Sequence, residues 1–96
     1  MSEARHPGLD RLAEVMHAIR SGCPWDAGQT HASLVTYLVE ETAEVVEAIE
    51  AGDDVDLREE LGDLLLQVFF HAEIAAEEGR FDIDDVAGQI ADNLER

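Results

Sequence analysis

Glu41 and Glu44, then Glu60 and Asp63, form two carboxylate pairs at the same i,i+3 spacing, placed almost symmetrically on either side of Gly52. If both stretches are helical and Gly52 turns the chain between them, a rise of about 1.5 Å per residue puts each pair roughly 14 Å up a helical hairpin, facing the other. Four carboxylates converging with no basic residue among them repel one another unless divalent cations compensate. An all-oxygen donor set selects a hard ion, Mg2+ or in its place Mn2+, over zinc. Either half alone is commonplace on an acidic helix. The repeated spacing, the mirror placement and the position of Glu41 make the combination specific.

The elements that must hold these pairs read as helices throughout. Leu9, Leu12, Val15, Met16 and Ile19 recur at a helical period from about Leu9 to Ser21, and Gly22 and Pro24 end that helix. Gly22 to Thr30 reads as an ordered loop carrying Trp25. Thr30 is the expected cap of a second helix that runs to about Ala51, with Leu34, Leu38, Val45 and Ile49 on one face. Glu41 falls in the middle of that apolar arc, Glu44 on its flank and Glu40 further round, so Glu41 is misplaced for a solvated charge.

Gly52-Asp53-Asp54 makes the next turn, with either aspartate able to cap a third helix that runs to about Glu78. After Asp63 that helix has almost no polar face: Leu64, Leu65, Leu66, Val68, Phe69, Phe70 and Ala72 surround it. A helix apolar on every side is buried on every side, and one short chain has too few elements to enclose it, so a second copy is expected to cover the rest. Gly79 stops the helix, Asp82 caps a fourth, and Ile83, Val86, Ile90 and Leu94 are its expected inner stripe. No strand pattern, repeat or low-complexity segment competes. The expected fold is all-α, a single domain over 1–96 built as a four-helix protomer in a helical-bundle dimer, with the third helix at the interface.

Composition narrows what such a domain can meet. The 96 residues carry 23 acidic side chains, no lysine and six arginines, for a net charge of −17. That balance excludes nucleic acid and anionic membranes as partners bound by bulk electrostatics, but admits a small anionic substrate if metal ions bring the positive charge. The hydrophobic fraction of 46% is ample for a core and excludes a disordered chain. Cys23 is the single cysteine, so no internal disulfide forms and a reducing cytoplasm fits best. Neither a targeting segment nor a membrane span is expected.

Other metal designs fail on spacing. A di-iron bundle needs Glu-x-x-His pairs, which His6, His17, His31 and His71 do not supply, and the EF-hand loop pattern is absent. His71 lies too far beyond Glu60 to join the carboxylates and reads as a satisfied core or interface histidine. His31 reads as structural or next to the substrate. Trp25 has two readings, a flat surface for a nucleobase or plain packing of its loop.

Cys23-Pro24-Trp25-Asp26, Gln29-Thr30-His31, the E-E-x-x-E run Glu40 to Glu44, the E-x-x-D run Glu60 to Asp63, and Glu77-Glu78-Gly79-Arg80-Phe81-Asp82 together resemble the MazG family of all-α nucleoside triphosphate pyrophosphohydrolases. The resemblance extends from about Leu9 to Arg96. It implies a dimer, with a tetramer as the other state, that cleaves NTP or dNTP, aberrant nucleotides among them, between the α and β phosphates to give NMP and pyrophosphate. It also implies that Glu41, Glu44, Glu60 and Asp63 are the Mg2+ ligands, that Glu41 is required for catalysis, and that Glu40 lies behind them or acts as base for the attacking water. Phosphoryl transfer to water needs mainly charge neutralisation and in-line positioning, which clustered cations supply.

Two departures bear on substrate binding. Asn93 stands where the family often has a lysine, and Arg96 is the last residue, just where a second arginine is expected. With Trp25 these two are the expected substrate contacts, with weaker phosphate neutralisation. The end within an apparent helix leads to the expectation of a piece of a longer protein. The rival reading is a non-catalytic helical dimerisation or regulatory module that keeps metal or nucleotide binding; a third is an acidic interaction surface with no ligand.

Overall fold

Two aspartates and two glycines set the boundaries of the helical hairpin at the centre of the fold. The computed structural model describes residues 5–96 as α1 (Pro7–Gly22), α2 (Pro24–Ala27), a 3-10 turn (Ala32–Leu34), α3 (Val35–Ala51), α4 (Asp54–Glu77) and α5 (Ile83–Leu94), with no strand among the described residues. Gly52 ends α3 in the left-handed conformation at φ 71°, and the Asp53 side chain accepts hydrogen bonds from the Val55 and Asp56 amides to start α4. Gly79, at φ 72°, closes α4: its amide donates to the Ala76 carbonyl and that of Arg80 to the Ala75 carbonyl, both at 3.0 Å, which satisfies carbonyls otherwise stranded at the helix end. Asp82 and Asp85 then exchange side-chain and backbone hydrogen bonds in a capping box that starts α5.

The expected all-α architecture of four long helices is present, with two local differences. The segment after Cys23 is a short helix rather than a loop, because Pro24 supplies the fixed φ of a first helical residue and Trp25-Asp26-Ala27 continue it. Thr30 does cap, exchanging hydrogen bonds with Ser33, but the turn it starts is 3-10 and passes into α3 only at Val35.

The core is small. Met16, Leu34, Phe70 and Ile74 form its buried cluster, with Ile19 and Leu66 packed against it. Arg20 ties this core to the loop above. Its guanidinium grips both oxygens of Glu77 at 2.6 and 2.8 Å, donates to the Asp26 and Gln29 carbonyls at 2.7 and 2.9 Å, and lies over the Phe70 ring. Four donors used from one nearly buried side chain fix the position of the Trp25 segment relative to α4.

Several expected core positions face outward instead. Ile49 is 60% exposed, and Val86, Ile90 and Leu94 are 37%, 54% and 78% exposed, so α5 does not turn its apolar stripe into this protomer. Leu9 and Val15 are likewise exposed. The reason is geometric: α5 packs on α4 through Ile83, while the remainder of its stripe has no second layer to meet. On α3 the covered arc is Leu34, Val45 and Ala48, leaving Val35, Val39, Val46 and Ile49 as a second, open apolar stripe.

Replacing Arg20 by Met keeps the apolar stem but strands the two carbonyls and Glu77. The expected loss is about 2–3 kcal/mol of unfolding free energy. Urea unfolding reads it, and an unchanged midpoint contradicts the anchoring role.

Candidate metal centre

The hairpin brings the two carboxylate pairs together. One oxygen from each of Glu41, Glu44, Glu60 and Asp63 lies within 4.8 Å of all the others. Ligands on opposite sides of one Mg2+ stand about 4.2 Å apart, at roughly 2.1 Å from the ion, so the cluster has the dimensions of a cation site with little contraction required. Glu41 and Glu60 are half-buried, and one oxygen of each, Oε2, is fully buried with no hydrogen-bond partner. Orphaned carboxylate oxygens inside an all-acidic cluster are the donor set that a hard divalent cation satisfies.

The electrostatics agree. Burial first, then the charges of Glu44 and Asp63, push the Glu41 carboxyl above its ordinary value. Glu60 is pushed up to about 7, chiefly by a carboxyl–carboxyl hydrogen bond with Glu44 and then by burial and the neighbouring charges. Protons are the only cations that the chain itself brings to this cluster, since none of its hydrogen bonds or ion pairs among the described residues joins an arginine to the quartet.

The other expected site residues are distributed around this centre. Glu40 is exposed on α3 beside Glu41. Trp25 is 57% exposed and meets Tyr37 edge to face, centroids 6.1 Å apart. Tyr37 was not singled out by the sequence, although it precedes Glu41 by one helical turn and so shares the face of Glu41 and Glu44. Asn93 is exposed and lines a separate hollow of about 420 Å³ with Phe81 and Ile90, and Arg96 is exposed at the chain end; neither belongs to the carboxylate cluster.

No histidine joins the carboxylate cluster among the described residues, and His71 is only half-satisfied. The His31 and His71 rings are coplanar, with Nδ1 atoms 2.7 Å apart and centroids at 4.9 Å, which is an edge-to-edge N–H···N hydrogen bond rather than a stack. Arg80 Nη2, always a donor, lies 2.6 Å from His31 Nε2. His31 therefore carries its proton on Nδ1 and donates it to His71 Nδ1, leaving the His71 proton on Nε2, buried and unpartnered. Burial and the nearby His31 lower the His71 pKa, in keeping with a neutral ring.

The model of the MazG nucleotide pyrophosphohydrolase domain matches residues 29–96. This chain belongs to the MazG family. It is 53% identical over 91 residues to a nucleoside triphosphate pyrophosphohydrolase of Escherichia coli K12, covering 92% of this chain and 35% of that protein. Against the nucleoside triphosphate pyrophosphohydrolase/pyrophosphatase MazG of Thermotoga maritima it is 49% identical over 90 residues, covering 92% and 35%. A nucleoside triphosphate pyrophosphohydrolase of Mycobacterium tuberculosis is 51% identical over 88 residues, covering 90% and 27%. The chain thus spans about a third of the length of these relatives. A crystal structure of a mazG-related protein from Thermotoga maritima superposes with a TM-score of 0.77 at 27% identity, over 88% of this chain and 75% of that one.

Carboxyls whose pKa is raised by folding bind protons more tightly in the folded state, so the stability they permit is fullest below the unfolded value of 4.5 and is lost as pH rises through about 7. The metal-free protein is therefore expected to lose melting temperature between about pH 5 and 8, with a flatter profile in Glu60→Gln and under saturating Mg2+. His17, its pKa raised by Glu73, adds a slope of the same sign, and His71, its pKa lowered, one of the opposite sign, but neither depends on Glu60. Identical slopes in the two proteins would remove the quartet as their cause.

Proposed function

We propose that this domain hydrolyses nucleoside triphosphates to the nucleoside monophosphate and pyrophosphate, with Mg2+, replaceable by Mn2+, held by Glu41, Glu44, Glu60 and Asp63. The observation that carries this reading is the four-carboxylate cluster with two buried, unpartnered oxygens. The family match and the relatives named for this activity support it. The bound cation would neutralise phosphate charge and favour ionisation of the attacking water. Water adds to the α-phosphorus, the bond from that phosphorus to the bridging oxygen breaks, and the bridging oxygen leaves with pyrophosphate.

The chain's own residues have distinct parts in this. The quartet would keep the cation in one place because the four carboxylates stand on two helices clamped by a short turn, a rigid support for a geometry-sensitive step. Glu40, exposed at the rim, is the proposed acceptor of the water's proton. Trp25, exposed above the same end of α3, offers a flat face to a nucleobase, and Asn93 and Arg96 are the proposed contacts to the rest of the substrate once the domain is assembled.

Assembly is the second element of the proposal, and a homodimer is its expected form. A monomeric protein of 10.6 kDa exposes roughly 5,500 Å². This protomer exposes 7133 Å², and its radius of gyration, 14.7 Å, exceeds the roughly 12.5 Å of a chain of its length. The excess is apolar in part: Val35, Val39, Val46 and Ile49 on α3 lie open, as do Leu61 and Val68 on α4 and Ile90 and Leu94 on α5. The helical register puts the α3 stripe on the face of that helix roughly opposite Glu41 and Glu44, away from α4, a surface suited to a second copy.

Incubation with nucleoside triphosphates, with and without Mg2+, tests the activity. NMP and pyrophosphate are expected only with metal, and Glu41→Gln or Glu60→Gln is expected to lower turnover by at least about 100-fold with helicity unchanged. Retained turnover in both variants would sink the metal assignment; metal binding with no turnover in the parent protein would favour the non-catalytic module. In light scattering at micromolar concentration a dimer is expected, and a folded monomer contradicts the assembly.

A further inference from the structure

Gln67 is the one polar side chain in the buried class among the described residues, at 8% exposure, and its carboxamide oxygen Oε1 has no hydrogen-bond partner. A buried, unpaired carbonyl of this kind gives up its hydration with no hydrogen bond in return, so a chain that keeps one inside an otherwise apolar run does so against its own stability. The neighbours available to pair with it do not. His71, one turn further along α4, carries a proton on Nε2 under the tautomer that Arg80 imposes, yet that atom is itself unpartnered.

The position of Gln67 indicates what does pair with it. It follows Asp63 by four residues and Glu60 by seven, which puts all three on one face of α4, and the Asp63 side chain is one of the four converging carboxylates. Mg2+ and Mn2+ sites of this size keep part of their hydration, and a water on a divalent cation is a strong, compact hydrogen-bond donor. Gln67, a neutral group one helical turn from Asp63, has the reach for that water and the acceptor for its proton.

We propose that Gln67 is a positioning residue of the metal centre, its carboxamide oxygen accepting a hydrogen bond from a water in the hydration shell of the cation held by Glu41, Glu44, Glu60 and Asp63. The proposal rests on the metal reading given above. It states why an unpaired amide is retained next to the quartet: the partner arrives with the ion. It also predicts that metal affinity and metal-free stability move in opposite directions when the acceptor is removed.

The test uses the full chain and two variants, Gln67→Met, which keeps the length and volume but removes the acceptor, and Gln67→Glu, which keeps an acceptor at the same place. Mn2+ affinity is measured by electron paramagnetic resonance of the free ion, and melting temperature is measured with the metal stripped. Gln67→Met is expected to weaken Mn2+ binding by about 10- to 100-fold, as loss of a group that orients a metal's surroundings does, while its metal-free melting temperature stays level or rises. Gln67→Glu is expected to retain most of the affinity. Mn2+ affinity unchanged in Gln67→Met overturns the inference, as does a lower metal-free melting temperature, which would reveal an ordinary structural hydrogen bond. Loss of affinity as complete as in Glu41→Gln also overturns it, since Gln67 would then be a direct ligand. If the parent chain binds no Mn2+, the metal reading itself falls, an outcome distinct from the other three.

Discussion

Mutual repulsion among Glu41, Glu44, Glu60 and Asp63 is the constraint around which the protomer is built. Like charges with ligand atoms within 4.8 Å of one another act to open the α3–α4 hairpin. What keeps it closed is local and cooperative. A left-handed Gly52 turns the chain in the least space, Asp53 fixes the first turn of α4, and the Met16, Leu34, Phe70 and Ile74 cluster holds the far end. A domain of this size has only a few kcal/mol of net stability to set against the strain. Two oxygens are left without partners and Glu60 is held toward its protonated form, an arrangement that the proposed cation would relieve.

The same economy governs the loop between α1 and α3. Pro24 starts a single helical turn that would be unstable alone, far below the length at which a helix persists in water. Arg20 stabilises it from below by taking the Asp26 and Gln29 carbonyls, and Glu77 holds Arg20 in place. Trp25 therefore stands at a fixed height over Tyr37 with most of its ring in solvent. At the other end of the 3-10 turn, the Arg80–His31–His71 chain ties the start of α3 to α4 through one set of proton positions. Arginine on one side and histidine on the other thus brace the short segment that carries the exposed aromatic corner, and both braces are anchored near the C-terminal end of α4.

What could be read in the sequence followed from how local each signal is. Caps and stops are chemistry within four residues, so Gly52, Gly79 and Asp82 were legible without knowledge of the tertiary fold, and the choice between Asp53 and Asp54 falls to Asp53. The carboxylate quartet was legible because a hairpin with a short turn makes distant residues local: spacing on each helix and symmetry about Gly52 were enough. Periodicity could not say what covers a face. Ile49, Val86, Ile90 and Leu94 have the right period for an inner stripe and are exposed, because period fixes direction about an axis and not the presence of a neighbour. Gln67 had a visible signal, a lone amide between Leu66 and Val68 in a run of apolar residues. The half-satisfied state of His71 had none, since it depends on the proton that Arg80 forces onto the other side of His31.

The net charge of −17 and the open apolar stripes look contradictory under the proposed self-association, but most of the charge lies on other surfaces. Along α3 the exposed stripe of Val35, Val39, Val46 and Ile49 has Thr42 within it and Glu50 at its C-terminal edge, one turn beyond Val46, while Glu40 and Glu47 lie on other faces of the helix. Charges kept at the rim of an apolar contact repel across a distance comparable with the screening length in physiological salt, about 8 Å, whereas buried apolar area acts in contact and is insensitive to salt. Acidity therefore sets no barrier to pairing through this face. It raises the local concentration of divalent cations around the chain and disfavours anionic macromolecules, which is compatible with the small, cation-bound triphosphate of the proposed reaction. Under the proposed function the surface charge and the quartet select in the same direction: one would gather the ion, the other would hold it.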